Sequence, residues 1–563
     1  MTDKTIIINS LWRFNMRKLA LLAMLVPGVA NAELLQNLFI DNKAMSLGNA
    51  VTADPTGIMD IHFNPAGLTK LDGRQFQLQF HNIILNSEAE FSLPDDFDSE
   101  EAGLLDPSKD PVLNEGKSRA HVAAYFPGIG RQGIPLPIIA LPTAGISIKP
   151  PGSKFTFANA VYAPMAAGFS KGDDDPGRYQ AKEVAIQRLT YLSPSFGYQV
   201  NDEFSVGAGL LFSHQAVSLE QELRAPNVLV GVLEELQNAF GCLEIDEATG
   251  EPSRNDPLAP FITLCGGNVG PYDDIGTLDI TMTESLSPSF NLGMLWEPNG
   301  WFKFGMSYQS EANTKLTGDY ELEYTDDFAD FFRTFNSSII GAVTGAIFSF
   351  PQGQTYESGH VTSELTYPQH FQAGVKFKYF DIFHFNLDAG WTDFDEWDSL
   401  DIQFDRQVSF LSTAKILSPE LVTDTTLEMP LNFRSVWTYN VGMAMDLNSR
   451  IQLRAGFEPR HSSIPKDSRS LQAPIGFMRM YAVGLGYQWD LDTTIDLSMS
   501  FMKSVEHIKA DPQEASANNE FPNSSNSLNR NCLTCVVTNP YPGLDVDTKL
   551  TIGHAGISFR TKF

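Results

Sequence analysis

Polar and apolar residues alternate with a period of two through most of this 563-residue chain, beginning clearly at Gln75-Phe76-Gln77-Leu78-Gln79-Phe80. A period of two puts successive side chains on opposite faces of a strand, so these strands meet two different environments. The connections between them alternate in length. Short turns read at Lys149–Ser153, Val200–Glu203, Glu297–Gly300, Tyr379–Ile382, Asp446–Ser449 and Asp490–Thr493. Long polar, acidic or locally helical segments read at 92–117, 169–182, 223–276, 325–358, 406–429, 461–474 and 506–548. Six short turns and seven long loops imply about fourteen strands. An even number of strands, joined short and long in turn and near or above the roughly 9–11 residues a tilted strand needs to cross a bilayer, predicts an all-β fold. Specifically, it predicts a transmembrane antiparallel β-barrel of a bacterial outer membrane, with short helices in its extracellular loops.

Aromatic residues near strand ends (Phe196, Tyr198, Trp296, Trp301, Tyr308, Tyr379, Trp437, Tyr439, Tyr487, Trp489) fit the two interfacial girdles of such a barrel. The last strand, Thr548 to Phe563, carries Ile557, Phe559 and Phe563 on one face. A terminal aromatic on an alternating strand looks like the signal read by the barrel assembly machinery, which makes that machinery an expected partner. Surrounding outer-membrane lipids and lipopolysaccharide are expected partners too. A monomer is expected.

Two long loops change period from two to between three and four. In the first, Leu229, Val232, Leu233, Leu236 and Phe240 recur at helical spacing; in the second, Phe328, Phe331, Phe332 and Phe335 are followed by Ile339, Ile340, Val343, Ile347 and Phe348. Two readings stay open and are compatible. The helices pack on each other as a lid, or they present an apolar groove to a hydrophobic ligand.

The N-terminus has a different character. Met16-Arg17-Lys18, the apolar run Leu19 to Val26 and Ala30-Asn31-Ala32 read as a secretion signal over residues 1–32, with either Met1 or Met16 as its start. Residues 33–73 are rich in glycine, proline and small residues, which is poor strand material and suits a compact plug. Within them Asn64-Pro65-Ala66-Gly67 is turn chemistry: Pro65 fixes its own φ and holds Asn64 out of the helical region. Residues 74–563 form the barrel. Past the signal no apolar run reaches about 18 residues, so no helical span is expected.

The formal net charge of −29 excludes the basic footprint of a nucleic-acid binder. Four cysteines fall in loops. Cys242 with Cys265 and Cys532 with Cys535 read as loop disulfides of an oxidising compartment, with a redox or metal role for Cys532-Leu533-Thr534-Cys535 as the alternative. No metal site, cofactor or nucleophile motif is expected, hence no enzyme. No phosphate-binding loop is present in the sequence, so any transport is passive. Asp173-Asp174-Asp175 and the acidic 94–101 stretch read as solvated loop tips or as bridges through divalent cations to lipopolysaccharide.

Taken together, these residues resemble the FadL family of outer-membrane long-chain fatty-acid and hydrocarbon transporters over most of the chain. Asn64-Pro65-Ala66 is similar to the family's hatch motif, and Ser46-Leu47-Gly48-Asn49-Ala50 to the segment before it. Ser193–Gly209 resembles a family hairpin, and further resemblances are Tyr367-Pro368-Gln369-His370-Phe371 with Gly374, and Trp391 with Trp397. The resemblance implies a hatch in the lumen, capture of a hydrophobic small molecule between the two apolar loops, and an internal apolar pocket. It implies release sideways through a kinked third strand, here Phe155 to Phe169 with Pro164 and Gly168, although a bend without a passage is equally compatible with Pro164. A cation for a ligand carboxylate is implied as well; Arg434 stands at the matching place, Arg188 is a second candidate, and pairing of Arg434 with a lumenal acid is the structural alternative. Lys466 stands where an Asp commonly follows the family's Ile-Pro. A general aqueous porin and a surface adhesin on an inert barrel are the competing classes.

Overall fold

In the computed structural model, residues 36–95, 97–99, 103–134, 138–242, 256–417, 419, 421–466, 469–471, 475–510 and 540–563 are described. The signal segment, its two possible starts, Cys532 and Cys535 lie outside them. No helix among the described residues is long and apolar enough to cross a membrane. The membrane is crossed by strands instead.

All strands belong to one sheet, which closes on itself as an antiparallel barrel of fourteen staves. The first is β1 (Gly73–Ser92); the second combines β2 (Ser118–Phe126), β3 (Gly130–Ile134) and β4 (Ile138–Lys149); the third is β5 (Phe155–Ser170). The fourth joins β6 (Glu183–Leu192) to β7 (Ser195–Gln199), and β8 (Phe204–Leu223) and β9 (Gly276–Trp296) follow singly. Four composite staves come next: β10 (Phe302–Gln309) with β11 (Ala312–Tyr324), β12 (Tyr356–Tyr367) with β13 (His370–Tyr379), β14 (Phe383–Thr392) with β15 (Ser399–Phe404), and β16 (Thr426–Pro430) with β17 (Val436–Asp446). The last four are β18 (Ile451–Arg460), β19 (Met478–Gln488), β20 (Thr493–Ile508) and β21 (Asp545–Lys562). Closure comes from β1 against β21, in register from Gln75↔Lys562 to Ser92↔Asp545. Closure pairs the first strand with the last, so neither is left as a free edge.

Burial follows the period-two pattern. On β17, Val436, Thr438 and Asn440 are buried while Trp437, Tyr439 and Val441 face outward. The expected turns and long loops fall between staves as read. Helices occupy Val228–Ala239, Asp326–Ser337 and Ile339–Phe348, each opened by a side chain that accepts from the first turn: Asn227 from Leu229, Thr325 from Phe328, Ser338 from Gly341. A disulfide joins Cys242 to Cys265. On the extracellular side, Arg224 donates to both carboxylate oxygens of buried Asp110 at 2.8 and 2.7 Å and to the Pro540 carbonyl, with Tyr179 and Tyr541 stacked over the guanidinium. Four loops are thereby tied into one cap.

Residues 36–71 lie inside the barrel. Because this segment has little regular structure, its backbone polar groups need partners from elsewhere. Inward-facing amides and acids of the wall supply them. Asn291 donates to Ile61, Asn386 to Ala50 and Asn440 to Gly48; Asp388 accepts from the Thr52 amide and Gln77 from that of Ile58, all within 2.7–3.0 Å. Asp54 takes both Lys43 and Lys376 of the wall side.

Candidate functional site

The Asn64-Pro65-Ala66 turn is wedged against two staves. The Asn64 amide donates to the Thr52 carbonyl at 2.7 Å within the plug and to Met294 of β9 at 2.9 Å, while its oxygen caps the turn by accepting from Ala66 at 3.1 Å. The wall makes room with glycine. A Cβ on Gly207 of β8 would collide with the Pro65 backbone, and one on Gly293 of β9 with Asn64 and Pro65. Gly305 meets Thr52 and Gly456 meets Leu47 and Gly48 in the same manner. This belt of wall glycines around the plug escapes sequence reasoning, because an isolated glycine in a strand equally reads as a bulge.

Above the plug the lumen is filled by one continuous apolar cluster. It runs from Leu38 and Phe39 of the plug, past Met165, Val217 and Leu316 of the wall, to Phe328, Phe331 and Phe332 of the Asp326–Ser337 helix. Phe335 and Leu233 pack at its margin. The other helical residues point away. Leu229, Val232 and Leu236 are exposed, as are Ile339, Ile340, Val343 and Ile347, the last at 67%; Phe240 is half-buried. On the Val228–Ala239 helix the buried positions are Gly231 and Gln237, so its apolar stripe, apart from Leu233, faces out. The two loops meet through 256–270: Gln237 donates to the Leu264 and Gly267 carbonyls, and Gly267 abuts the Asp327 backbone.

The wall ladder is interrupted at more than one seam, and one interruption lies where the plug begins, between the second and third staves. β4 pairs with β5 only from Ile148↔Phe157 to Ala144↔Val161, and β2 meets β5 again only at Val122↔Phe169 and His121↔Ser170. Between these contacts, among the described residues, the edge of β5 from Tyr162 to Gly168 has no ladder partner from the second stave, and the β4 edge from Ile138 to Thr143 pairs with β1 alone. Pro164 sits within this interval, at an irregularity in the β5–β6 register between Tyr162 and Met165. Proline lacks the amide a central ladder requires and is tolerated at such an edge. The first described residues of the chain take the edge up: Gln36 bridges Met165, and the Asn37 amide donates to the Pro164 carbonyl at 2.9 Å. Gly168 has a reason other than a kink. On its outer side the Ala123 carbonyl passes 2.5 Å from where a Cβ would stand.

The two arginine candidates are placed differently. Arg188 on β6 is 6% exposed inside the barrel, where Nη2 donates to Ser289 at 2.8 Å and the guanidinium lies 4.1 Å over the Tyr367 ring. Among the described residues it forms no ion pair. Arg434 is exposed, in the connection between β16 and β17, and its backbone amide donates to Ser463. The structure therefore brings Arg188, and not Arg434, next to Met165 and the wall interruption. At the extracellular rim, Lys171 is buried and donates to the Gly177 and Ala181 carbonyls at 3.0 and 2.7 Å. Burial pushes its ammonium down to about 8, with Asp175 pulling the other way.

Residues 21–538 match the family model described as outer membrane protein transport protein (OMPP1/FadL/TodX). Among solved structures, the chain is similar to a FadL homologue of Pseudomonas aeruginosa at 17% identity and a TM-score of 0.60, over 95% of this chain and 100% of that one. It is similar to the toluene transporter TbuX of Ralstonia pickettii at 13% identity and a TM-score of 0.52, over 93% and 98% of the two chains. The toluene transporter TodX of Pseudomonas putida stands at 13% and 0.53, over 92% and 97%. At such identities the likeness is one of fold. Among curated proteins none matches the chain.

Proposed function

Since the chain belongs to the OMPP1/FadL/TodX family of outer membrane transport proteins, we propose that it is a passive outer-membrane channel for hydrophobic compounds, long-chain fatty acids or hydrocarbons, that releases them sideways into the membrane. The observation that carries this reading is the apolar cluster that links the Phe-rich loop helix to Met165, beside the interval where the wall has no ladder. Ligand is collected on the exposed apolar faces of the Val228–Ala239 and Ile339–Phe348 helices. Each buried CH₂ gains about 0.8 kcal/mol, so such faces collect an acyl chain or alkane without specific polar contacts. The ligand then enters the apolar cluster below them by displacing its side chains. With the plug fixed by the wall amides and glycines, the route of least cost is between β4 and β5. Movement of Gln36 to Phe39 away from the β5 edge opens it, with Asn64, Pro65 and Ala66 as the hinge side of the hatch. Leaving sideways keeps the ligand out of water, since the bilayer is itself an apolar sink.

The test is uptake by cells that lack other hydrophobic-compound channels, with labelled oleate and labelled toluene offered in turn. Expression of this chain should raise entry of at least one, and bilayer-reconstituted protein should not pass small sugars. Rapid sugar permeation without uptake of either compound would make the chain an aqueous porin. A hatch that stays in place has no use for the interrupted wall.

A further inference from the structure

The wall interruption has its origin in the second stave, which is continuous in neither sequence nor sheet. After Val122 the chain leaves the wall, turns back on itself as the β2–β3 hairpin, and rejoins the wall at Ile138. The hairpin lies on the outside of the barrel. Its Arg131 guanidinium is paired with Glu183 of β6, Glu220 of β8 at 2.7 Å and Asp279 of β9 at 2.6 Å, and donates to Ser218 at 2.8 Å. Those positions alternate with the inward Val217, Leu219 and Ile280, so all four face outward. Tyr125 packs on the outward Ala185 and Ala216 and stacks on His214, and its carbonyl accepts from Gln187 at 2.8 Å. This is a strap fixed across three staves.

Its height on the barrel is legible from the outward column of β8. Leu210, 57% exposed, and Phe212 belong to the apolar band; Ser218 and Glu220 above them are polar. Tyr125 sits over the crossover at His214 and Ala216, and Arg131 over the polar end. The strap therefore runs along the upper border of the lipid-facing band. Its turn, Phe126-Pro127-Gly128-Ile129, is wholly exposed, has no polar side chain, and presents Ile129 at 73% exposure. Gly128 and Gly130, at φ of +81° and +99°, fix the turn's shape.

We propose that this turn is a membrane-contact site: the outer leaflet's acyl chains are its partner, and Phe126 and Ile129 are seated among them at the end of the strap that lies toward β8 and β9, away from its base at β5. An apolar turn pinned by a buried arginine network and continuous with the lipid-facing band has hydrocarbon as its nearest matching environment. Its proline and glycines unsuit it to rejoin the ladder, so the strap keeps the second stave out of the wall and the opening in place.

Tryptophan at Ile129 tests the site. Purified Ile129→Trp protein is reconstituted in phosphatidylcholine bilayers with or without bromine on the acyl chains, and the emission added over the parent protein is compared. Loss of most of that added emission in brominated bilayers, with little loss to aqueous iodide, is the expected result. Added emission that iodide quenches and acyl bromine leaves unchanged would place the turn in water and overturn the proposal. Phe126→Trp provides the same reading if Ile129→Trp does not yield the folded, heat-modifiable barrel.

Discussion

The Asn37 amide donates to the Pro164 carbonyl at 2.9 Å, and the neighbouring Gln36 forms a bridge with Met165, so the start of the described chain stands in for the missing second stave. This contact is the lock of the proposed exit. Residues opposite each other in an antiparallel bridge have Cα atoms within reach of a disulfide. In a Gln36→Cys, Met165→Cys double variant, oxidation should abolish most uptake and reductant should restore it, while each single variant transports in both conditions. Uptake indifferent to the cross-link would mean that ligand leaves by another route.

The hatch turn should tolerate loss of its anchor structurally but not functionally. Asn64→Ala removes the donor to Thr52 and Met294 and leaves the buried Thr52 carbonyl and the half-buried Met294 carbonyl each short of a partner. An unsatisfied buried group costs about 1–3 kcal/mol. The barrel, held by its own closed ladder, should keep its heat-modifiable migration on gels, whereas amide exchange across residues 50–70 should quicken and uptake should change. Unaltered exchange would show that the wall glycines alone fix the turn.

How far the sequence foretold these arrangements depends on the physical signal each leaves. The strands and loop lengths were legible because a barrel wall between lipid and lumen imposes period two on every stave. The strap was not: Phe126-Pro127-Gly128 reads as an ordinary turn, and nothing local tells that the hairpin it closes lies outside the wall. Helical spacing located Leu229, Val232 and Leu236 correctly but carries no information on which side water lies. Likewise, the choice between Arg188 and Arg434 turned on burial, which an alternating pattern interrupted by the β5 irregularity does not convey.

Exposed apolar residues that serve a purpose should be replaceable without loss of stability. Val343 and Ile347 are mostly exposed on the Ile339–Phe348 helix, so Val343→Asp with Ile347→Asp should shift unfolding by no more than about 0.5 kcal/mol for each site. Capture of a fluorescent fatty acid or aromatic probe at low concentration should nevertheless weaken severalfold. By contrast, Phe331→Asp, aimed into the lumenal cluster, should loosen the loop itself and raise its protease sensitivity. Equal capture by the double variant would assign collection to another surface.

The rim around Lys171 should become firmer in alkali. Its ammonium titrates at about 8 in the folded rim, below the ordinary lysine range. From that value up to the ordinary one, the opened state holds more protons than the closed one, so stability rises with pH, by an amount on the order of 3 kcal/mol at most. Limited proteolysis of the extracellular loops should therefore slow between pH 8 and about 10. In Lys171→Met, which does not titrate, that part of the pH dependence should vanish.

A contrast between two classes of ligand tests the proposed role of Arg188. It is buried without an acid partner among the described residues, donating to Ser289 and lying over Tyr367. A buried cation is costly unless something compensates it, and a ligand carboxylate arriving from the apolar cluster would do so with a charge-assisted bond worth about 1.5–3 kcal/mol. Arg188→Met keeps much of the side-chain volume and removes the charge. Fatty-acid uptake should then fall about tenfold or more while that of an uncharged hydrocarbon is unchanged or improved. If both fall together, the guanidinium is acting through its hold on Ser289 and Tyr367, and the wall beside Met165 has lost its shape. If neither falls, the polar end of a ligand does not pass this point. The contrast between the two compounds, rather than either loss alone, makes Arg188 a reader of the carboxylate.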